Sequence, residues 1–231
     1  LDGPENAPVA SVKILSPRLH TATLQVIQEE LDLLLKQLIS DLSEPIPHRL
    51  DIHADFSCMA SEIETVGKSN FITRAHKKAE YAIGDKITGW SIGTGNMKIR
   101  LYDKTVQLLD YEGTPSYETI RELWASRGWD ESETVWRLEY QLRKDRLADY
   151  GIVKFDDLYQ KLPKLWQRLT SIELKICVTS ETDNKRSRWK PYPFWLNIQE
   201  AFNNGPAEPL SRIPRKDKGP SIEYLAERAV I

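Results

Sequence analysis

The sequence predicts an α+β fold, in which a central antiparallel β-sheet has one polar face and helices pack on its other face. Three segments alternate apolar and polar residues with the period of two that marks a half-buried strand. They are RLDIHADF (49–56), KIRLYDK (98–104) and VWRLEYQLR (135–143). Apolar residues recur at helical spacing in 21–40 and 155–170. A sheet with a single apolar face needs such helices to cover it.

Composition limits the class of protein without selecting a function. The 231 residues are 40% hydrophobic, which is enough for one sizeable core. A net charge of −2 neither favours nor excludes a nucleic-acid partner, so any basic footprint must be local. Cys58 and Cys177 lack the spacing of a zinc site, and a disulfide framework is not expected. Without an apolar run of membrane length or a signal peptide, we expect a cytoplasmic protein and no membrane partner.

Changes of composition predict three regions. Residues 1–20 form an N-terminal edge segment, in which VASVKIL (9–15) is read as an edge strand. Residues 21–204 form the main domain, beginning with a leucine-rich helix at 21–40 that packs on the core or, alternatively, binds a partner. Residues 205–231 form a Pro-rich, charged tail with a short final helix. Because the chain starts with Leu1 rather than Met, we expect an excerpt of a longer protein.

The remaining elements follow from turn and cap signals. Glycine-rich GTGN predicts a hairpin turn, and Pro163 predicts a kink or the start of a second helix. The predicted elements, in chain order, are a partly helical stretch at 60–81, hairpin strands at 87–92 and 97–107, a helix from the cap Ser116 to Gly128, a short helix ending at Gly151, a strand at 172–180 and a helix at 194–205.

The polar faces of the three main strands combine carboxylates, cations and a tyrosine. Asp51, His53 and Asp55 share one face of their strand. The polar faces of the next two strands carry Lys98, Arg100, Tyr102 and Lys104, and Arg137, Glu139, Gln141 and Arg143. Carboxylates are hard ligands suited to Mg²⁺ or Mn²⁺, and guanidinium and ammonium groups suit phosphate oxygens. An activated tyrosine between them has the chemistry to attack phosphorus.

A different interpretation of these faces stays open at this stage. Any half-exposed antiparallel sheet alternates in this way, and Asp–Arg or Glu–Lys pairs across strands stabilise it without implying a function. Tyr140 is a rival nucleophile, but its period places it on the apolar face, so we expect it in the core.

Several of these segments, in this order, resemble a known family. RLDIHADF, GWSIGTGNMKIRLYDKTVQL, ELWASRGW, VWRLEYQLRKDRL and LWQRLT…SRWKPYPFW look like the Rep-trans replication initiation factors of rolling-circle plasmids. That family also includes relaxases of integrative and conjugative elements. The resemblance runs from about residue 49 to residue 204. Helix 21–40 has no counterpart in it.

The resemblance implies an enzyme that nicks and rejoins one strand of an origin through a covalent 5′-phosphotyrosine. The nucleophile of the family's R-x-Y-x-K strand falls on Tyr102, flanked by Arg100 and Lys104. The resemblance also implies a divalent ion, Mg²⁺ or Mn²⁺, bound by Glu139 together with Asp51 or Asp55. Both aspartates are candidate ligands. Arg137 joins Arg100 and Lys104 as a candidate phosphate contact. The implied partners are DNA, as an origin hairpin that is single-stranded at the nick, a second copy in a homodimer, and a host helicase or polymerase.

A basic loop near the end of the main domain adds a candidate DNA contact. Its cations suit backbone phosphates, and its indole suits stacking on a splayed base; the residues are Lys185, Arg186, Arg188, Trp189 and Lys190. A solvated basic loop is the alternative. Two functions compete with plasmid replication initiation: a conjugative relaxase with the same chemistry, and a non-catalytic DNA-binding protein of the same fold.

Overall fold

A computed structural model describes residues 8, 10–39, 43–57, 60–202 and 210–212. The chain forms two compact units, Leu1–Ser43 with Tyr111–Gly128, and Glu44–Asp110 with Trp129–Ile231. The predicted regions 1–20, 21–204 and 205–231 follow different boundaries and stay a prediction. The helix predicted within the tail lies outside the described residues. All the predicted site residues belong to the second unit.

The first unit is helical, with α1 (Ser16–Thr21), α2 (Leu24–Leu38) and α5 (Pro115–Ala125). The Thr23 hydroxyl caps α2 by accepting the Val26 N–H at 3.4 Å. Thr114 caps α5 in the same way, so the predicted cap at Ser116 was wrong by two residues. Residues 10–15 form no strand, which corrects the predicted edge strand. Backbone without a neighbouring strand to pair with has no ladder to hold it extended.

The second unit is built on a five-stranded sheet in the order β1-β6-β5-β4-β3, with every neighbouring pair antiparallel. A small antiparallel pair, β2 with β7, lies apart from it. The strands are β1 (Arg49–Ser57), β2 (Phe71–Thr73), β3 (Lys78–Ile83), β4 (Lys86–Ile92), β5 (Met97–Asp103), β6 (Val135–Arg143) and β7 (Leu174–Ile176). The helices are α3 (Ala60–Glu64), α4 (Lys104–Leu109), α6 (Lys144–Asp149), α7 (Asp156–Arg168) and α8 (Pro193–Glu200).

One face of the large sheet is covered by helices, which confirms the predicted α+β fold. Tyr140 is fully buried as predicted, and its hydroxyl donates to the Leu169 carbonyl at 3.0 Å. Its ring meets the Trp166 ring of α7 edge-on, at 5.7 Å between centroids. The buried indole N–H groups of Trp166 and Trp195 donate to backbone carbonyls at 2.8 and 2.9 Å, so neither N–H is left unsatisfied in the core. None of the described helices has the length and apolar content needed to cross a membrane.

The structure corrects several element boundaries. The stretch 60–81 contains β2 and the start of β3 as well as helical turns. The prediction missed β3 because an edge strand that is exposed on both sides shows no clear alternation. The second hairpin strand ends at Asp103, whose side chain accepts the Val106 N–H at 2.9 Å and starts α4. Helix α7 runs across Pro163 without a new start. The strand predicted at 172–180 shortens to β7, because a π-helix (Leu169–Glu173) precedes it.

Candidate active site

Strand register places the predicted site residues in rows across the polar face of the large sheet. Asp55 of β1, Arg137 of β6 and Tyr102 of β5 are direct neighbours in one row. The next row contains His53, Glu139 and Arg100. Side chains opposite each other on one face lie about 5 Å apart at the Cβ atoms, so each row is a chain of contacts. The grouping expected from alternation is therefore present for these six residues.

Tyr102 lies half-buried at the centre of this face. Its hydroxyl donates to Glu139 Oε2 at 3.4 Å. Burial raises the pKa of the phenol to about 12; the nearby Arg137 lowers it, and the Glu139 and Asp55 carboxylates add to the rise. The phenol is therefore protonated at neutral pH and needs an acceptor for its proton if it is to act as a nucleophile. Glu139 is the carboxylate in position to accept it.

Gly89 allows strand β4 to approach Tyr102 more closely than a residue with a Cβ could. It pairs with Tyr102 in the β4–β5 ladder. A Cβ at this position would lie 2.8 Å from the Tyr102 Cβ and 2.8 Å from the Leu101 carbonyl oxygen. Neither atom can move away without opening the ladder. The tyrosine cleft, lined by Tyr81, Trp90, Ser91, Lys98, Arg100, Tyr102, Gln107 and Glu139, has a volume of about 370 Å³ and connects the phenol to solvent.

Each of the three predicted metal ligands faces an arginine. Arg137 holds Asp55 with two hydrogen bonds of 2.5 and 2.7 Å, and both side chains are largely buried. Arg100 contacts Glu139 at 2.5 Å and the Gln141 amide oxygen at 3.2 Å. Asp51 pairs with its strand neighbour Arg49 at 2.5 and 2.8 Å. The carboxylates are thus already compensated by guanidinium groups.

In this arrangement the side chains do not fit a resident divalent ion. Among the described residues, no group of three or more His, Cys, Asp and Glu side chains is placed to hold a metal. A cation at Asp55 or Glu139 would first have to displace Arg137 or Arg100. The ligand set of Asp51, Asp55 and Glu139 and the identity of the ion, Mg²⁺ or Mn²⁺, stay predictions.

Lys104 is placed by the structure on α4 rather than on the strand face predicted for it. It is nevertheless buried close to the site, and its ammonium group donates to the Gln107 side chain. Burial and, to a smaller extent, the Arg137 charge lower its pKa to about 8, while the Asp55 and Glu139 carboxylates oppose the change. Lys104 therefore keeps its proton at neutral pH but loses it near pH 8, well below the pH at which a solvent-exposed lysine does.

The basic loop uses most of its polar groups within the protein. Arg188 forms two hydrogen bonds with Asp183, at 2.6 and 2.8 Å. Arg186 donates to the Ser69 and Phe71 carbonyls and lies over the Trp189 ring, whose N–H bonds the Asp183 carbonyl at 2.6 Å. Lys185 and Lys190 are exposed. The loop's DNA contact stays a prediction.

The comparisons with known proteins do not establish the function of this chain. No protein-family model matches the chain, and no curated protein matches it. One solved structure that matches is a rolling-circle replication initiator protein from Geobacillus stearothermophilus, 19% identical, with a TM-score of 0.44. The match covers 67% of this chain and 55% of that one, so the chain spans about half of that initiator's length. A likeness at this level carries no functional argument.

The fold and the site together define an α+β protein whose sheet presents a phenol, a carboxylate acceptor and the Arg100 guanidinium in one cleft, with the Asp55–Arg137 ion pair in the same row as the phenol. Sequence reasoning grouped these residues correctly but missed several of their neighbours, among them Gly89 and Tyr81. Gly89 was overlooked because a glycine has no side chain to alternate, and only its pairing with Tyr102 reveals its role. Tyr81 was missed because it lies at the end of the stretch 60–81, for which the sequence predicts partly helical structure and no strand.

Proposed function

We propose that the chain is a DNA strand-transfer enzyme that initiates replication by nicking and rejoining one strand of an origin through Tyr102. The observation that carries the proposal is the placement of the Tyr102 hydroxyl, 3.4 Å from a carboxylate oxygen and in register with a guanidinium group inside an open cleft. The sequence resemblance to rolling-circle initiators supports the same chemistry. The plasmid origin as target and the cytoplasm as location belong to the proposal too.

The reaction is a transesterification at phosphorus. The Tyr102 oxygen forms a bond to phosphorus as its proton passes to Glu139, and the bond from phosphorus to the 3′ oxygen of the preceding nucleotide breaks. The ammonium group of Lys104 supplies the proton that makes this oxygen a 3′ hydroxyl. Arg137 and Arg100 offset the negative charge that builds on the non-bridging oxygens. The reverse sequence rejoins the strand.

Replacing Tyr102 by Phe tests the proposal directly. We expect the covalent protein–DNA adduct and the nicking of supercoiled origin plasmid to disappear, while binding to the same DNA persists. The adduct is read on a denaturing gel with a labelled single-stranded oligonucleotide, and a tyrosine–DNA peptide is mapped by mass spectrometry. An adduct that survives in Tyr102→Phe, or that maps to another residue, would overturn the proposal.

A second candidate, a DNA-binding protein without catalysis, is favoured by two observations. The two carboxylates nearest Tyr102 are already paired with arginines, and the pKa of the phenol is raised rather than lowered. In that case the unaltered protein would form no adduct on any DNA. A conjugative relaxase would form the same adduct on a transfer origin instead of a replication origin.

A further inference from the structure

A second cleft opens on the polar face of the sheet beside the tyrosine cleft. We refer to it as the basic groove; it has a volume of about 740 Å³ and runs toward the β4–β5 turn. Its cationic lining residues are Arg49, Lys77, Lys98, Arg100 and Arg143. Tyr81, Ser91, Lys98 and Arg100 line both clefts, so the groove is continuous with the space around Tyr102.

The groove carries positive charge that the protein does not neutralise. Five cations line it and no carboxylate does. Arg49 and Arg100 are paired with Asp51 and Glu139. Lys77, Lys98 and Arg143 have no ion-pair partner among the residues that the structure describes. The chain has a net charge of −2, so three uncompensated cations in one groove are a local basic footprint on an acidic protein.

An exposed aromatic ring stands where the basic groove meets the tyrosine cleft. Tyr81 is 53% exposed and lies in the same row as Gly89 and Tyr102. Because Gly89 has no side chain, the space between the two phenol rings is open. The β3–β4 ladder changes register directly after Tyr81, between it and Ala82. Irregularities of this kind at a sheet edge re-aim side chains and are common beside active sites.

We propose that the basic groove binds the backbone of the single DNA strand that enters the site, with a base stacked on Tyr81. The identity of the strand rests on the proposed function, whereas binding in the groove does not. Uncompensated cations that follow a backbone, next to an aromatic platform, are the combination that proteins use for single strands. Tyr102 and Lys98 lie four residues apart on the polar face of β5, or about 13 Å along the strand, which is room for a few nucleotides.

Removal of the free cations tests the backbone contacts. The groove variant, with Lys98→Gln and Arg143→Gln, keeps long polar side chains and removes two charges. We expect weaker binding of a fluorescein-labelled single-stranded DNA oligonucleotide, followed by anisotropy across a range of salt concentrations. The slope of log Kd against log salt should fall by about 0.7 for each phosphate that the protein no longer neutralises. The matched control, Lys68→Gln with Lys164→Gln, removes the same charge from exposed positions outside the groove.

Tyr81 tests the stacking contact separately from charge. Tyr81→Ala should weaken binding between about fivefold and about 150-fold, while Tyr81→Phe should bind like the unaltered protein. Thermal unfolding followed by circular dichroism checks that every variant is folded. If the groove variant and its matched control show the same decrease in affinity and salt slope, the groove is not the binding track. If Tyr81→Ala binds like the unaltered protein, the stacked base on Tyr81 is refuted. Tighter binding of an RNA oligonucleotide of the same sequence would refute the assignment to DNA.

The two proposals fail in different ways. If the unaltered protein forms the tyrosine adduct but the groove variants bind and react normally, the groove assignment is wrong and the proposed function stands. If the unaltered protein binds single strands through the groove but forms no adduct with any origin, the proposed function is wrong and the groove assignment stands.

Discussion

Glu139→Gln is the substitution that separates the chemistry of the site from its stability. Glutamine retains the shape of the side chain and removes the carboxylate that accepts the Tyr102 proton at 3.4 Å. With a phenol pKa of about 12, only about one molecule in 10⁵ carries the phenolate at pH 7. A positioned base that takes the proton as the bond to phosphorus forms contributes typically 10²- to 10⁴-fold. We therefore expect adduct formation to slow by about 10²- to 10⁴-fold.

The effect on stability should be much smaller. The ion pair with Arg100 is removed, but about a third of the Arg100 side chain is exposed to solvent, which screens the interaction. Because the Glu139 side chain is only 17% exposed, we expect a decrease of about 1–2 kcal/mol in the free energy of unfolding. Affinity for single-stranded DNA should stay the same or increase, because a negative charge near the strand is removed.

Three measurements on one preparation decide between these effects. Single-turnover adduct formation on a labelled oligonucleotide gives the rate, urea unfolding gives the stability, and anisotropy gives the affinity. The reasoning is refuted if Glu139→Gln reacts within threefold of the unaltered rate. It is refuted equally if the decrease in rate is matched by a decrease in folded protein.

Three further predictions concern space, metal and pH. Gly89→Ala should destabilise the protein by about 1–3 kcal/mol in urea unfolding, because the added Cβ would meet backbone atoms that cannot move away. Gly67→Ala is the control and should change stability little, because its Cβ meets nothing nearer than 3.9 Å. Equal losses of stability in the two variants would contradict the prediction. If Glu139 is a metal ligand, Arg100→Gln should tighten Mn²⁺ binding measured by calorimetry, because it frees the Glu139 carboxylate from its ion pair. An unchanged Mn²⁺ affinity would exclude Glu139 as a ligand. Because the pKa of Lys104 is lowered to about 8, the ammonium group is lost above that pH, and the rate of adduct formation should fall above pH 8. Lys104→Arg should abolish this fall in rate. A fall that persists in Lys104→Arg would exclude Lys104 as the proton donor.

Alternation of side chains along single strands was enough to predict the polar and apolar faces of the sheet. It placed Tyr140 in the core and Tyr102 on the site face, and the structure agrees on both. The period of two is a local property, so a single sequence reveals it. Which strands are neighbours is not local. The juxtaposition of Asp55, Arg137 and Tyr102 depends on the order β1-β6-β5, which a sequence does not state.

The predictions from sequence were wrong or incomplete where the strand ends, where an edge strand is exposed, and where side chains form ion pairs. Lys104 continues the alternation of its segment, but the Asp103 side chain folds back to cap the next helix and ends the strand one residue earlier. Tyr81 sits on an edge strand whose residues are mostly exposed on both sides, so its segment carried no periodic signal. Alternation is compatible with pairing of each acidic residue with an arginine, but only the distances in the structure show that this pairing occurs.

The region around Tyr102 and the basic groove differ in how their charged groups are compensated, and this difference predicts different roles for them. Arg137 is largely buried beside Tyr102, where an unpaired guanidinium would be strongly destabilising, so it is held by Asp55. Lys77 and Arg143 are exposed in the basic groove and need no partner to remain solvated. A strand binding in the groove exchanges water and counterions for protein contacts, whereas a phosphate at Tyr102 must compete with an existing ion pair. Groove variants should therefore raise KM with little change in kcat, and substitutions around Tyr102 should lower kcat.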